Sequence, residues 1–408
     1  MKSAAVFSIA LIISTLVFNA CSKINPGEKE PTKIELNKKS LEIIEADNQF
    51  AFELFREIIT LSDEDNIMIS PLSVSYALGM TYNGAEGTTL DAFKDVLHLD
   101  SLTRQEVNES YQDLMGQMLT LDEDIEFTIA NSIWHVNWGN VKEKFVQDNA
   151  NYFDARVEAL DFSDPGSVDV INDWIEEKTN DKIKDMLDFI PADAYMYLVN
   201  AIYFKATWKY EFDPEDTFSA AFTKEDGSTM TADFMALEAE LNYGMTEQFT
   251  AAEFPYGDGA FSMVVLLPHE GTTADALASD LDIDAWKEAE SRMAPASIKV
   301  NMPKFKYEWK DSLNQALKKL GLGVAFSDDA DFSGITEEVM LFISRVLHQT
   351  FIDVNEEGTE AAAATIVEVR YESAGNLFFV DRPFLYLIKE NSTGAILFMG
   401  KVGNPVHD

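Results

Sequence analysis

Hydrophobic positions recur at helical spacing in four places along the chain. Residues 48–59 set Phe50, Leu54, Phe55, Ile58 and Ile59 on one face. Residues 105–119 do the same with Val107, Tyr111, Leu114, Met115, Met118 and Leu119. Steps of three and four residues predict an amphipathic helix in each. Ile171, Trp174 and Ile175 predict a helix over 168–178; Leu313, Ala316, Leu317 and Leu320 predict a short one over 312–320, ended by Gly321. Strands show two patterns. Ile125, Phe127 and Ile129 alternate with polar residues, as a half-exposed strand does. Residues 195–204, 261–267 and 384–388 are nearly continuous apolar runs, which suit strands covered on both faces. Helical patterns dominate the first third and strand patterns the rest, without βαβ alternation, so the expected class is α+β with more than one sheet. No Pro/Gly/Ser-rich stretch or internal repeat divides residues 46–408, which read as one large domain.

The amino terminus is different. Lys2 precedes an apolar run from Ala4 to Phe18, then Asn19-Ala20-Cys21. A positive start, a short apolar stretch and a small residue before the cut describe an export signal over 1–20, too short for a membrane span. Ala20 followed by the only cysteine resembles a bacterial lipoprotein signal, with Cys21 as the lipid anchor; a plain secretory signal is the alternative. Residues 21–45 begin polar, with Pro26, Gly27 and Pro31, and read as a flexible tether. The expected location is therefore outside the cytoplasm, lipid-anchored to a cell-envelope membrane or secreted.

Composition removes several function classes. The 408 residues are 46% apolar and 12% aromatic, enough to build a core rather than a disordered chain. They carry 31 Lys and Arg against 71 Asp and Glu, a net charge of −40, which repels nucleic acid and anionic lipid alike. Membrane contact is expected only through the lipid on Cys21. One cysteine excludes an internal disulfide framework and Cys-rich metal sites. The sequence has no G-x-S-x-G elbow, S-x-x-K, H-E-x-x-H, P-loop or G-x-G-x-x-G motif. Its histidines, His98, His135, His269, His348 and His407, are scattered. Asp329, Asp331, Ser333 and Gly334 begin like a calcium loop, but Met340 stands where the bidentate glutamate belongs, so a turn is expected. Among 71 acidic residues the sequence selects no catalytic carboxylate pair. An exported hydrolase thus has no positive support. No cofactor, no metal and no enzymatic activity are expected.

The segment 356–373 is unusual. As a strand, one row carries Thr359, Ala361, Ala363, Thr365, Val367, Val369 and Tyr371, and the other carries Glu360, Ala362, Ala364, Ile366, Glu368, Arg370 and Glu372. The first row suits a buried sheet face and the second suits solvent. As a helix, the alanines would favour it and the Thr-Ile-Val-Glu-Val run would not. The pattern alone leaves both open.

This segment resembles the hinge and reactive loop of a serpin, and the resemblance extends over about 46–408. Asn66-Ile-Met-Ile-Ser-Pro-Leu-Ser73, Leu198-Val-Asn-Ala-Ile-Tyr-Phe-Lys-Ala-Thr-Trp208, Pro303-Lys-Phe-Lys306, Asp331-Phe-Ser-Gly-Ile335, Val346-Leu-His-Gln-Thr-Phe-Ile352 and Phe379-Val-Asp-Arg-Pro-Phe-Leu-Tyr-Leu-Ile388 are similar to family motifs and stand in family order.

The resemblance implies a serpin fold of three sheets and eight or nine helices with an exposed reactive loop. It implies a monomeric suicide-substrate inhibitor whose partner is a serine endopeptidase or a papain-like cysteine protease. A non-inhibitory serpin, acting as a binding or chaperone-like protein, is the alternative. The hinge is implied at Glu356, Gly358, Thr359, Glu360 and Ala361, Ala362, Ala363 and Ala364. Ser70, Ser73, Asn200 and His348 match the polar cluster called the shutter, Trp208 the breach where insertion begins, and Lys304 and Glu356 a breach ion pair. Family spacing counts 14 residues on from Gly358 and 11 back from Pro383 to the same residue, so the expected reactive bond is Glu372–Ser373. Tyr371 and Arg370 are the alternative donors.

Overall fold

The computed structural model describes residues 31–123, 125–138, 140–191, 194–359 and 376–407. Two groups of expectations lie outside the described residues: the signal with Cys21, and the loop with Glu360, Ala361 to Ala364, Arg370, Tyr371, Glu372 and Ser373.

The first helix is longer than its apolar pattern predicts. It runs Lys38–Leu61, with the Asn37 side chain accepting from the backbone N–H groups of Lys39 and Ser40. The expected flexible tether over 21–45 therefore ends sooner: residues 38–45 are helical and bury Ile43 and Ile44. Lys38, Lys39 and Glu42 disguise that start, because they occupy the solvent face of the same helix. The helices Arg104–Met118 and Gly166–Lys178 agree with their apolar periodicity. The short helix starts at Asn314 rather than Ser312, because Phe305–Ser312 is a strand paired along its whole length with Leu347–Val354. Gly321 ends it at φ 122°, a conformation costly for any residue with a Cβ. The calcium-like stretch is a turn in which Asp331 Oδ1 accepts from the Ser333 N–H.

Nine α-helices and fifteen strands are formed among the described residues, an α+β fold. The strands make two hydrogen-bonded sheets, of nine and six strands. The expectation of three sheets meets a continuous strand: Thr229–Met245 pairs with Phe218–Thr223 early, with Ala294–Pro303 through its middle and with Phe249–Tyr256 at its end. Two of the three expected layers are thereby one ladder. Strands Phe261–Pro268 and Phe384–Glu390 are buried at every position, as their apolar runs predict.

The six-stranded sheet positions the site. Its two faces are told apart by alternation. Ile202, Phe204 and Ala206 of the strand Met196–Thr207 join the main core, while Val199 joins a second cluster with Trp134, Ile171, Trp174 and Ile175 under the helix Gly166–Lys178. The strand Glu126–Val136 starts with the expected alternation but is buried on both sides from Ala130 to Trp134, where Ile133 joins the main core and Ala130 and Trp134 join the cluster under the helix Gly166–Lys178.

Candidate functional site

Among the described residues the centre of this sheet is nearly vacant. Strand order runs 305–312, 347–354, 358–359, 196–207, 126–136, 156–160. The third member is only Gly358–Thr359. It pairs antiparallel with Val354 on one side and with Ala206 and Thr207 on the other. Beyond it, no ladder joins 347–354 to 196–207 among the described residues. Ile202, Phe204, Phe351 and Thr359 line the cleft near the hinge, and Met196, Asn200 and His348 line it farther down.

Several contacts fix the hinge. A Cβ on Gly358 would stand 2.0 Å from the Ala206 carbonyl oxygen, so only glycine lets the two backbones approach. Thr359 is 3% exposed, and its hydroxyl lies 2.7 Å from the Tyr256 hydroxyl. Tyr256 stacks on Trp208 at 4.5 Å between centroids. Trp208 donates its backbone N–H to Glu357 O and its indole N–H to Asn355 O, at 2.8 and 2.9 Å. Lys304 Nζ stands 3.1 Å from Glu356 Oε2, while Thr217 Oγ1 donates to Glu356 Oε1 at 2.8 Å. Burial opposes the Glu356 charge, but hydrogen bonds from its own backbone, Thr217 and Lys304 outweigh it and hold the carboxyl below the usual range.

The polar cluster assembles at the far end of the cleft. Ser70 caps the helix Pro71–Tyr82, accepting from the Ser73 N–H, and donates its hydroxyl to Leu397 O at 2.8 Å. The Ser70 N–H donates to His348 Nε2 at 2.9 Å. Ser73 Oγ donates to Asn200 Oδ1, whose amide donates to Asn131 Oδ1 at 2.6 Å, and the Asn131 amide ends the chain on Phe153 O.

The nine described residues expected here, Ser70, Ser73, Asn200, Trp208, Lys304, His348, Glu356, Gly358 and Thr359, border the cleft or form its hinge. Asn131 and Tyr256 were not foreseen. Asn131 continues the inward row Phe127, Ile129, and a buried amide on an apolar row is a legible signal. Tyr256 reaches Thr359 only through long-range pairing and gives none.

Burial pushes the His348 imidazole down to about 4, so it is neutral at pH 7 and its Nε2 lone pair is free for Ser70. Its unfolded value is about 6.5, so as pH falls the unfolded chain takes up the proton first. The stability owed to neutral His348 is complete above about pH 6.5. It is lost as pH falls toward 4, by on the order of 3 kcal/mol. Urea unfolding of wild type and His348→Gln at several pH values checks this. The stability difference should shift by that amount across the window, and a pH-independent difference would refute it.

Known proteins are similar to this chain in sequence and fold. A family model described as Serpin (serine protease inhibitor) matches residues 45–405. An uncharacterized serpin-like protein of Methanosarcina acetivorans is 34% identical, covering 99% of this chain and 98% of its own length. Human neuroserpin is 32% identical over 88% of this chain and 91% of its own. The crystal structure of the thermophilic serpin tengpin in the native state superposes with a TM-score of 0.83 at 31% identity, over 92% of this chain and 97% of that one. Human thyroxine-binding globulin complexed with its hormone gives 0.84 at 28% identity, over 90% and 100%.

Proposed function

The chain belongs to the serpin family, and from that premise we propose that it is a suicide-substrate inhibitor of serine endopeptidases, with papain-like cysteine proteases as further targets. Serpins generally target proteases and are generally inhibitors rather than enzymes. Loop insertion as strand addition is established family behaviour. The observation that carries the reading is the central strand position of the six-stranded sheet, filled among the described residues only by Gly358–Thr359 and followed in sequence by small residues.

The hinge pairing gives the insertion a register. Extended downward from Thr359, an antiparallel strand meets Phe204 and Ile352 at residue 361, Ile202 and Thr350 at 363, and Asn200 and His348 at 365. Residues 359, 361 and 363 then face the core with Ala206, Phe204 and Ile202, and Thr, Ala and Ala are small enough to enter a packed interior. At 365 the two flanking polar side chains meet Thr365, the second hydroxyl of the inward row. The shutter is a polar seat for that hydroxyl.

The reactive bond is proposed at Glu372–Ser373, with Tyr371 and Arg370 as secondary donors. The test is incubation with a panel of serine and papain-like cysteine proteases, read by denaturing electrophoresis and mass spectrometry. A glutamate-specific serine protease is expected to form a covalent band at the summed mass, with cleavage after Glu372. Glu372→Arg should transfer trapping to a trypsin-like protease. Cleavage without any covalent band across the panel would favour the non-inhibitory, ligand-binding reading instead. Export with a lipid on Cys21 belongs to the same proposal and rests on the Ala4–Phe18 run ending in Asn19-Ala20-Cys21. Partition of the expressed full chain into the aqueous rather than the detergent phase would overturn the anchor.

A further inference from the structure

The lower end of the cleft does not close. It widens into a cavity of about 250 Å³ lined by Leu78, Met196, Phe332, Val339, Met340, Phe342 and neighbouring residues. Its inner end carries the Ser73, Asn200 and His348 cluster. Its rim is apolar and open to solvent: Trp138 is 69% exposed, Met340 84%, Phe342 46% and Val339 38%. Large apolar side chains gathered around a concavity mark a binding surface, whereas scattered ones do not. The rim lies at the lower end of the insertion path, since the register reaches Leu347 at residue 366 and the rim beyond it. The 347–354 strand begins at Leu347, and the rim residues 339–345 lie before it.

One cation stands at this mouth. Arg345 lines the cavity and is exposed, and it makes no ion pair or hydrogen bond among the described residues. On a chain with net charge −40, most described cations with a carboxylate in reach hold it. A guanidinium left free beside an apolar pocket calls for an anion attached to an apolar body, and its planar fork matches a carboxylate.

We propose that this cavity binds a single-chain amphipathic carboxylate, a free fatty acid rather than a membrane, with the carboxylate on Arg345 and the chain among Met196, Met340, Phe342 and Leu78. The many anionic side chains of the surface oppose a charged bilayer but not one short acid that finds its own cation. Met196, Asn200 and His348 border both this cavity and the insertion path, so a bound chain blocks the lower half of the slot. That regulatory consequence rests on the inhibitor reading; the binding itself does not.

The experiment is titration calorimetry of the full chain with dodecanoate below its micelle concentration, beside octanoate and dodecyltrimethylammonium. Dodecanoate is expected to bind once per chain. Octanoate, four methylenes shorter, should bind on the order of a hundredfold more weakly. The ammonium should not bind, and Arg345→Gln should weaken dodecanoate about tenfold or more with unchanged thermal unfolding. Absence of dodecanoate binding, equal binding of the ammonium, or equal binding by Arg345→Gln overturns the proposal. So does uptake of dodecanoate only in the presence of vesicles. Trapping assays with and without dodecanoate keep the two readings separable. Binding by a chain that never traps protease sinks the inhibitor reading and leaves the pocket. Trapping by a chain that never binds the acid does the reverse.

Discussion

Thr359→Arg is expected to abolish covalent trapping of the target protease while leaving the reactive loop cleavable. Thr359 is the last paired residue of the hinge and the first that faces the core, between Tyr256 and the strand carrying Ala206. In the inserted state an arginine there would bring a guanidinium among Phe204, Tyr256 and Trp208, whose centroids lie 4.5 to 5.4 Å apart in neighbouring pairs. The nearest described breach carboxylate, Glu356, is already engaged by Lys304 and Thr217. An uncompensated buried charge costs about 3–5 kcal/mol. That is a large fraction of the insertion energy; because Thr359 is already seated in the intact sheet, the variant avoids this cost only by withdrawing its hinge, and insertion must then start against it while the acyl-enzyme is still free to hydrolyse. The covalent band should drop at least about tenfold, replaced by cleaved inhibitor and active protease. Thr359→Ser keeps the hydroxyl and the small volume and should trap normally. Densitometry of the complex against the cleaved chain decides the matter, and wild-type trapping by Thr359→Arg would mean that insertion does not start at this hinge.

Much of this fold was legible in the sequence, and the failures have physical causes. Periodicity found the helices at 104–118 and 166–178 because each buries one stripe against a sheet or a neighbouring helix. It found the strands 261–268 and 384–390 because both faces are covered. It missed the start at Lys38, where polar residues on the outer face mask Ile43 and Ile44, and it ran the strand ending at Ser312 into the following helix. The polar cluster was reachable only through family motifs: Ser70, Asn200 and His348 are far apart in sequence and have no common spacing. The slot itself had no sequence signature. Among the described residues, two strands that do not pair with each other are held apart there by the two residues Gly358 and Thr359. Arg345 was invisible for a similar reason, since a cation is identified as unpaired only after the carboxylates are placed.

Cleaving the loop near its reactive bond is expected to raise the unfolding temperature of the molecule by roughly 10–20 °C. The size follows from the register. Continued from Gly358–Thr207 and Val354–Thr359, the released strand gains partners down to Met196 on one side and Leu347 on the other. At about 3.3 Å per residue the fourteen residues from Thr359 to Glu372 extend about 46 Å, more than the length of either flanking strand. On the order of ten new ladder bonds at about 1 kcal/mol each give on the order of 10 kcal/mol, similar to the whole stability of an ordinary domain. The same quantity is what a captured protease would have to resist. Uncut, that energy is withheld because the loop is tethered at both ends: Gly358–Thr359 is fixed in the six-stranded sheet and Asn376–Phe379 in the nine-stranded one, parallel to Ala294–Pro303. A single cut removes one tether and nothing else. Calorimetry of intact and nicked protein, with nicked Thr359→Arg alongside, isolates the effect: wild type should gain the shift and the variant should lose most of it. Equal melting of intact and nicked wild type would show that the severed strand stays outside, and the vacancy between 347–354 and 196–207 would then need another occupant.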